Sequence, residues 1–250
     1  MLLRILFYSL LIFCVSAHSQ DNGLQELLDA CNLNKSDHCF AMGVIYENGL
    51  RGIKKDETKA YDFFSRACNL DSKKCNLIGT TYRAFKTKEL GRMPHKPKEL
   101  EKTIEFFSRG CDLNDKSSCS NLAIIYSNYR KLEEGIEDKA KYIELTHKAC
   151  KLGDGHSCLH LSQLYKAGRG VPKDGVKAID LNAKGIDLIT KDCELGNSHR
   201  CSSLGYKYKR GTKYIKQNIY KAKGFFKKAC DLENQNGCRQ YKKLDNQTSE

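Results

Sequence analysis

The 250-residue sequence has no tryptophan and only three prolines, and after Val15 it has no apolar run long enough to cross a ~30 Å hydrocarbon core. No C-x2-C pair occurs among its thirteen cysteines, which argues against zinc-thiolate sites and dithiol redox centres. Nowhere do β-branched and polar residues alternate for long enough to suggest a strand. What is present is ordinary globular material, 40% hydrophobic and 29% charged. Its net charge of +13 directs attention to acidic partners or anionic surfaces.

The first segment reads as an address. Arg4 precedes an apolar run from Ile5 to Val15, followed by the small residues Ser16 and Ala17. This predicts a secretory signal peptide over residues 1–19, cleaved after Ala17 or Ser19. Phe13 stands where a lipoprotein signal carries a small residue, so Cys14 is not expected to be lipidated. The expectation is an exported, periplasmic or secreted chain with no membrane span. Twelve cysteines then remain, an even number in an oxidising compartment, which points to a disulfide framework.

Those twelve fall into six close pairs: Cys31 with Cys39, Cys68 with Cys75, Cys111 with Cys119, Cys150 with Cys158, Cys193 with Cys201, and Cys230 with Cys238. Successive pairs begin 37, 43, 39, 43 and 37 residues apart, a period that means stacked supersecondary units. Three, four and seven residues after the second cysteine stand a large apolar residue, a small residue and a tyrosine. Examples are Met42, Gly43 and Tyr46, and Leu204, Gly205 and Tyr208. These positions share one face of a helix, here called helix A. The recurring small residue implies close approach by a neighbouring helix. A second helix, B, ends at the next pair; Phe63, Phe64 and Ala67 typify its inward face, and Lys59-Ala60, Lys139-Ala140, Lys177-Ala178 and Lys221-Ala222 mark its start. Turn signals lie between A and B, as in Gly168-Arg169-Gly170-Val171-Pro172-Lys173-Asp174.

A straight helix would hold cysteines eight residues apart at ~12 Å, about twice what a disulfide tolerates. The chain must therefore bend between them, and Asn69-Leu70-Asp71-Ser72 and Asp112-Leu113-Asn114-Asp115 supply helix stops and N-caps. Each bridge would staple the end of one helix B to the start of the next helix A. Such staples suit a solenoid, whose repeats contact only their neighbours.

The unit, with L-G-x-x-Y in helix A, G-x-G-x-x-K-D in the turn and K-A before the next A-C, resembles the Sel1-like repeat, a relative of the tetratricopeptide repeat. The Cys-x7-Cys joint resembles the Helicobacter cysteine-rich protein family. The likeness covers roughly Leu24 to Leu244 and is fullest from Cys150 to Ala178. It implies an all-α, right-handed α/α superhelix in one domain over residues 20–250. Repeats run at about 32–68, 69–111, 112–150, 151–193 and 194–230, with a partial repeat at 231–244. Three departures stand out. The second repeat has a longer turn with Pro94, His95 and Pro97, and the third has Ser127-Asn128-Tyr129-Arg130 in place of G-x-G. The fourth has a lengthened helix B.

The resemblance implies a secreted scaffold, expected as a monomer without cofactor or metal. Its concave groove would bind proteins, peptides or peptidoglycan-type fragments. Polar helix-A residues such as Glu47, Asn76, Arg83 and Asn121 would face that groove, with His160, Gln163 and Lys207 in later repeats. Members of the resembled family are described as penicillin-binding proteins with slow β-lactamase activity, the alternative reading. The sequence holds none of the S-x-x-K, K-T-G or H-x-H-x-D motifs of orthodox β-lactamases. His156 and His160 flank Cys158 at i, i+4, a spacing that serves a metal only with a third ligand, and none is evident. From Tyr206 to Cys230 there are nine cations and no acid: Lys207, Lys209, Arg210, Lys213, Lys216, Lys221, Lys223, Lys227 and Lys228. This run is a candidate anion-binding patch for an acidic partner, the competing reading being a solvated basic cap. Nucleic acid fits the charge but not the export signal.

Overall fold

The computed structural model describes residues 23–90, 97–129 and 136–248. The expected signal peptide, Cys14, Pro94, His95 and Arg130 lie outside the described residues. Among the described residues every regular element is a helix. They are α1 (23–32), α2 (Ser36–Asn48), α3 (Glu57–Leu70), α4 (Ser72–Leu90), α5 (Pro97–Asp112) and α6 (Lys116–Tyr129), then α7 (Ile136–Lys151), α8 (Gly155–Ala167), α9 (Gly175–Glu194), α10 (Ser198–Arg210), α11 (Ile219–Asp231) and α12 (Gln235–Thr248). Even-numbered helices are the A helices, odd-numbered ones the B helices. The fold class is thus an all-α solenoid of two-helix repeats with disulfide joints. Packing divides the chain into two units, one up to Asn121 and one from Leu122.

The joints explain the cysteine spacing. Cys31 is bridged to Cys39, Cys68 to Cys75, Cys111 to Cys119, Cys150 to Cys158, Cys193 to Cys201 and Cys230 to Cys238, with Cα atoms 4.4–4.7 Å apart. The second sulfurs of the first three joints, on Cys39, Cys75 and Cys119, belong to fully buried residues near the start of α2, α4 and α6. None of these three cysteines is therefore a free thiol, and each serves the fold as one end of a staple rather than as a ligand or nucleophile.

Five joints carry a residue of positive φ three positions after the first cysteine: Asn34, Asn114, Gly153, Gly196 and Glu233. In each, that residue's amide donates to the carbonyl of the first cysteine, and the next amide donates to a carbonyl five residues back, as Lys35 does to Ala30. This is the Schellman ending of a helix. The residue that completes it also begins the next helix: Asp115, Asp154, Asn197 and Asn234 accept from the amides of Ser118, Ser157, Arg200 and Gly237. One residue therefore closes helix B and caps helix A. The joint between Cys68 and Cys75, a residue shorter, omits the left-handed residue, and Asp71 is extended there (φ −147°).

Among the described residues, the A-to-B turns after α2, α8 and α10 share one pattern of capping contacts. Gly49 and Gly168 end α2 and α8 in the left-handed conformation, at φ 65° and 67°. Asp56, Asp174 and Asn218 then cap α3, α9 and α11 by accepting from the amides of Lys59, Lys177 and Lys221. The capping residue's own amide donates to the carbonyl of the helix-A tyrosine: Asp56 to Tyr46, Asp174 to Tyr165, Asn218 to Tyr208. In these three hairpins the lysine of the K-A pair lies over that same tyrosine's ring, 5.3, 4.3 and 5.4 Å from the centroid, whereas Ala140 of the Lys139-Ala140 pair is exposed. The alanines of the three, Ala60, Ala178 and Ala222, are fully buried. The K-A signature thus combines a cation–π contact with a close-packed helix start.

In the first unit the core is built on Phe64, Ile78, Tyr82 and Phe106 around the first two bridges. Arg66 on α3 donates to Asn32 and Asn34 at the preceding joint, and Arg109 on α5 donates to Asn69 and Ser65. In the second unit Leu159, Ile189, Leu204 and Ala229 form one cluster, and Phe226 packs with Leu244 in another.

Candidate functional site

A broad, open polar concavity lies in the second unit, where α10 and the start of α12 wall a cleft of about 860 Å³. Its α10 wall follows from helical periodicity. His199, Ser203, Lys207 and Arg210 recur at intervals of four, four and three residues and so form one stripe. The facing wall supplies Gln235, Asn236 and Arg239, with Asn234 at the joint. Leu204 and Gly205, on the opposite side of α10, are buried.

Tyr206 anchors the floor. Its ring meets Phe226 edge-on at 5.0 Å, and its hydroxyl donates to Asn236 Oδ1 at 3.1 Å. The Arg210 guanidinium lies 5.5 Å from the Tyr206 centroid. Burial holds the Lys207 ammonium below the ordinary lysine range. Among the described residues no carboxylate lines the cleft, whereas three cations, Lys207, Arg210 and Arg239, do.

The nine cations of the basic run are distributed over several settings. Lys207 and Arg210 line this cleft, and Lys209 donates to Gln240 nearby. Lys216 and Lys221 line a second cleft of about 860 Å³ beside α9, with Tyr208 and Tyr214. Lys213 lies 5.8 Å from the Tyr214 ring. Lys223 pairs with Asp245 at 2.7 Å and Lys227 with Asp231 at 3.0 Å, while Lys228 is exposed. Arg239 and His199 escaped a reading along the chain because they lie outside the run. Their signal was positional: both sit on the cleft-facing side of an A helix, two residues before Cys201 and one after Cys238.

Elsewhere the anticipated groove residues are scattered. Asn121 donates to Asn76 across neighbouring A helices at 2.7 Å. Glu47 is half-buried and raised above the usual carboxylate range by that burial, with the Tyr82 hydroxyl 3.5 Å away. His160 meets the Tyr142 ring edge-on, Arg83 is half-buried and Gln163 is exposed.

His156 does not pair with His160. Arg200 donates to its Nδ1, and Ser203 Oγ lies 3.2 Å from its Nε2. Arg200 also contacts the buried Asp154 at 3.2 Å and Asp192 at 3.7 Å. Burial and the Arg200 charge push His156 down to about 4, so it is neutral at pH 7. An arginine has no acceptor, so Nδ1 must accept and Nε2 must carry the proton. His156 therefore donates to Ser203 and cannot act as its base, and both ring nitrogens are engaged.

A profile of the Sel1 repeat matches residues 38–72, 155–195 and 201–234. The unmatched stretch between the first two holds the second and third repeats, whose turns depart from the motif. A Sel1 repeat protein from Oxalobacter formigenes is 19% identical, aligning over 86% of this chain and 82% of its own, with a TM-score of 0.51. A protective antigen of uropathogenic Escherichia coli is 19% identical with a TM-score of 0.44; this chain aligns over 91% of its length and spans only 55% of that one. Helicobacter pylori cysteine rich protein B is 30% identical over 58% of this chain and 96% of its own, with a TM-score of 0.34. No curated protein sequence matches. Three matched repeats, framed by the same capped turns and small-residue contacts, establish that the chain belongs to the Sel1-repeat family.

Proposed function

We propose that the chain is an exported, disulfide-stapled scaffold that binds proteins, peptides or cell-wall fragments on its A-helix face. Sel1-repeat proteins are protein-interaction scaffolds. The observation that carries the reading here is the cleft between α10 and α12. It is open, polar and walled by side chains from two successive A helices, as a surface for an extended ligand requires. Six bridges suit an oxidising compartment, and no described helix is long and apolar enough to cross a membrane. A cysteine pair at every joint supports grouping the chain with the Helicobacter cysteine-rich proteins.

The β-lactam-acting alternative has less support. Ser203 with His156 is a serine–histidine contact, but Arg200 fixes the imidazole in the donating tautomer, which gives the serine no base. Selection of a random peptide library on the immobilised oxidised chain tests the scaffold reading. Saturable binders that photo-crosslink to A helices are the expected result. Their absence, together with nitrocefin turnover that survives purification and vanishes in Ser203→Ala, would replace the scaffold with a hydrolase.

A further inference from the structure

We infer that the cleft between α10 and α12 is a recognition site for an acidic peptide segment, with Lys207, Arg210 and Arg239 as its charge anchors and Asn236 as a backbone clamp. This rests on the scaffold reading and specifies its partner.

The first argument is complementarity. Three cations line one cleft without a carboxylate, although acids pair with Lys223 and Lys227 a few residues away. Lys207 is half-buried one helical turn after Ser203, where a desolvated ammonium gains most from an incoming anion.

The second argument is shape. The cations come from both walls of the cleft, as suits an extended ligand laid between them. Lys207 and Arg210 are three residues apart on α10, an axial rise of about 4.5 Å, and Arg239 stands on the facing wall. Acidic side chains at i and i+2 of an extended peptide are separated by ~6.6 Å, within reach of long side chains on adjacent turns.

The third argument is hydrogen bonding. Because Tyr206 donates to Asn236 Oδ1, the Asn236 amide group is oriented with its Nδ2 left to donate to a peptide carbonyl. Tyr206 is itself packed edge-on against Phe226, so the Asn236 clamp is pre-oriented before a peptide docks.

The test is fluorescence anisotropy of the oxidised full chain with a labelled ten-residue peptide of alternating glutamate and alanine. Its glutamine counterpart, anionic phosphatidylglycerol vesicles and a sulfated glycan are run in parallel. Expected are saturable binding of the glutamate peptide that weakens with salt, and about tenfold loss in the double variant combining Lys207→Gln with Arg239→Gln. Lys228→Gln, outside the cleft, should change affinity less than twofold, and circular dichroism should report all variants folded. Equal losses in the Lys228→Gln and cleft variants would overturn the site. Tighter, cleft-dependent binding of vesicles or glycan would overturn the peptide assignment. Equal affinity for the glutamine peptide would overturn charge recognition while leaving the scaffold intact; failure of every peptide, including library-selected ones, would count against the scaffold itself.

Discussion

Gly205 lies directly beneath the ring of Phe226: a methyl group there would come within 2.6 Å of the ring carbons. Gly43 stands in the same relation to Phe64, at 2.4 Å, and Gly79 to Phe107, at 2.6 Å. Each glycine is the small residue four positions after a second cysteine (Cys39, Cys75 and Cys201), and each phenylalanine lies four positions before the next first cysteine. Where that helix-B position holds Thr146 or Ile189 instead, the small position carries Ala123, four after Cys119, or Ser162, whose hydroxyl donates to the Ala178 carbonyl at 2.6 Å. In the three phenylalanine hairpins, therefore, the helix-A glycine makes room for the helix-B ring.

Gly205→Ala should destabilise the chain despite the better helix propensity of alanine. Forcing a Cβ into the ring costs about 1–3 kcal/mol, against a propensity gain of about 1 kcal/mol. Gly224 on α11 is the internal control, since a Cβ there meets nothing within 4 Å. Gly224→Ala should stabilise by up to about 1 kcal/mol. Urea denaturation followed by circular dichroism separates the two, and a stabilised Gly205→Ala would refute the packing account.

Glu233 adopts φ 60° where equivalent joints carry glycine or asparagine. A left-handed glutamate costs about 1–2 kcal/mol, so Glu233→Gly should raise stability by about 1 kcal/mol or a little less, glycine's extra unfolded-state freedom offsetting part of the gain. Asn34→Gly, at φ 61°, should change little because asparagine already tolerates that conformation. Thermal melts of both variants check the difference.

The bridges predict a simple crosslink map. Tryptic peptides of the native chain should carry only the six local pairs, each closing a loop of about nine residues. Replacing both cysteines of one joint by serine, for example Cys111 and Cys119, should cost about 2.5 kcal/mol in the chain-entropy model. A bridge between remote joints, or wild-type stability after full reduction, would contradict this.

His156 ties stability to pH. Its folded value is held down to about 4, whereas an unfolded histidine titrates near 6.5. Between these values the unfolded state binds the extra proton, so stability is intact above about pH 6.5 and falls as pH drops towards 4. The loss is at most about 3 kcal/mol from this group. Arg200 opposes the charged imidazole, as does Lys207, while Asp154 and Asp192 favour it. Urea midpoints of His156→Gln should show a flatter slope across that window than the wild type.

The repeat, its helical pairing and the place of each bridge were legible in the sequence. They depend on local periodicity: cysteines too far apart for one straight helix, capping residues beside them, and a small residue always at the same offset. Even the deviant joint from Cys68 to Cys75 shows its missing residue in the spacing, because a Schellman turn needs one left-handed position. The cleft was not legible in the same way. Lys207 and Arg239 are separated by thirty-two residues and meet only because α10 and α12 stack, so a count of charges along Tyr206 to Cys230 included Lys223 and Lys227, which acids neutralise, and left out Arg239. The spacing of His156 and His160 offered no third metal ligand, but the partner of His156, Arg200 at its Nδ1, is forty-four residues away and out of reach of any local pattern. Helix hairpins follow from neighbours in sequence; which cations share a cleft, and which imidazole nitrogen holds the proton, follow from desolvation and from partners that only stacking brings near.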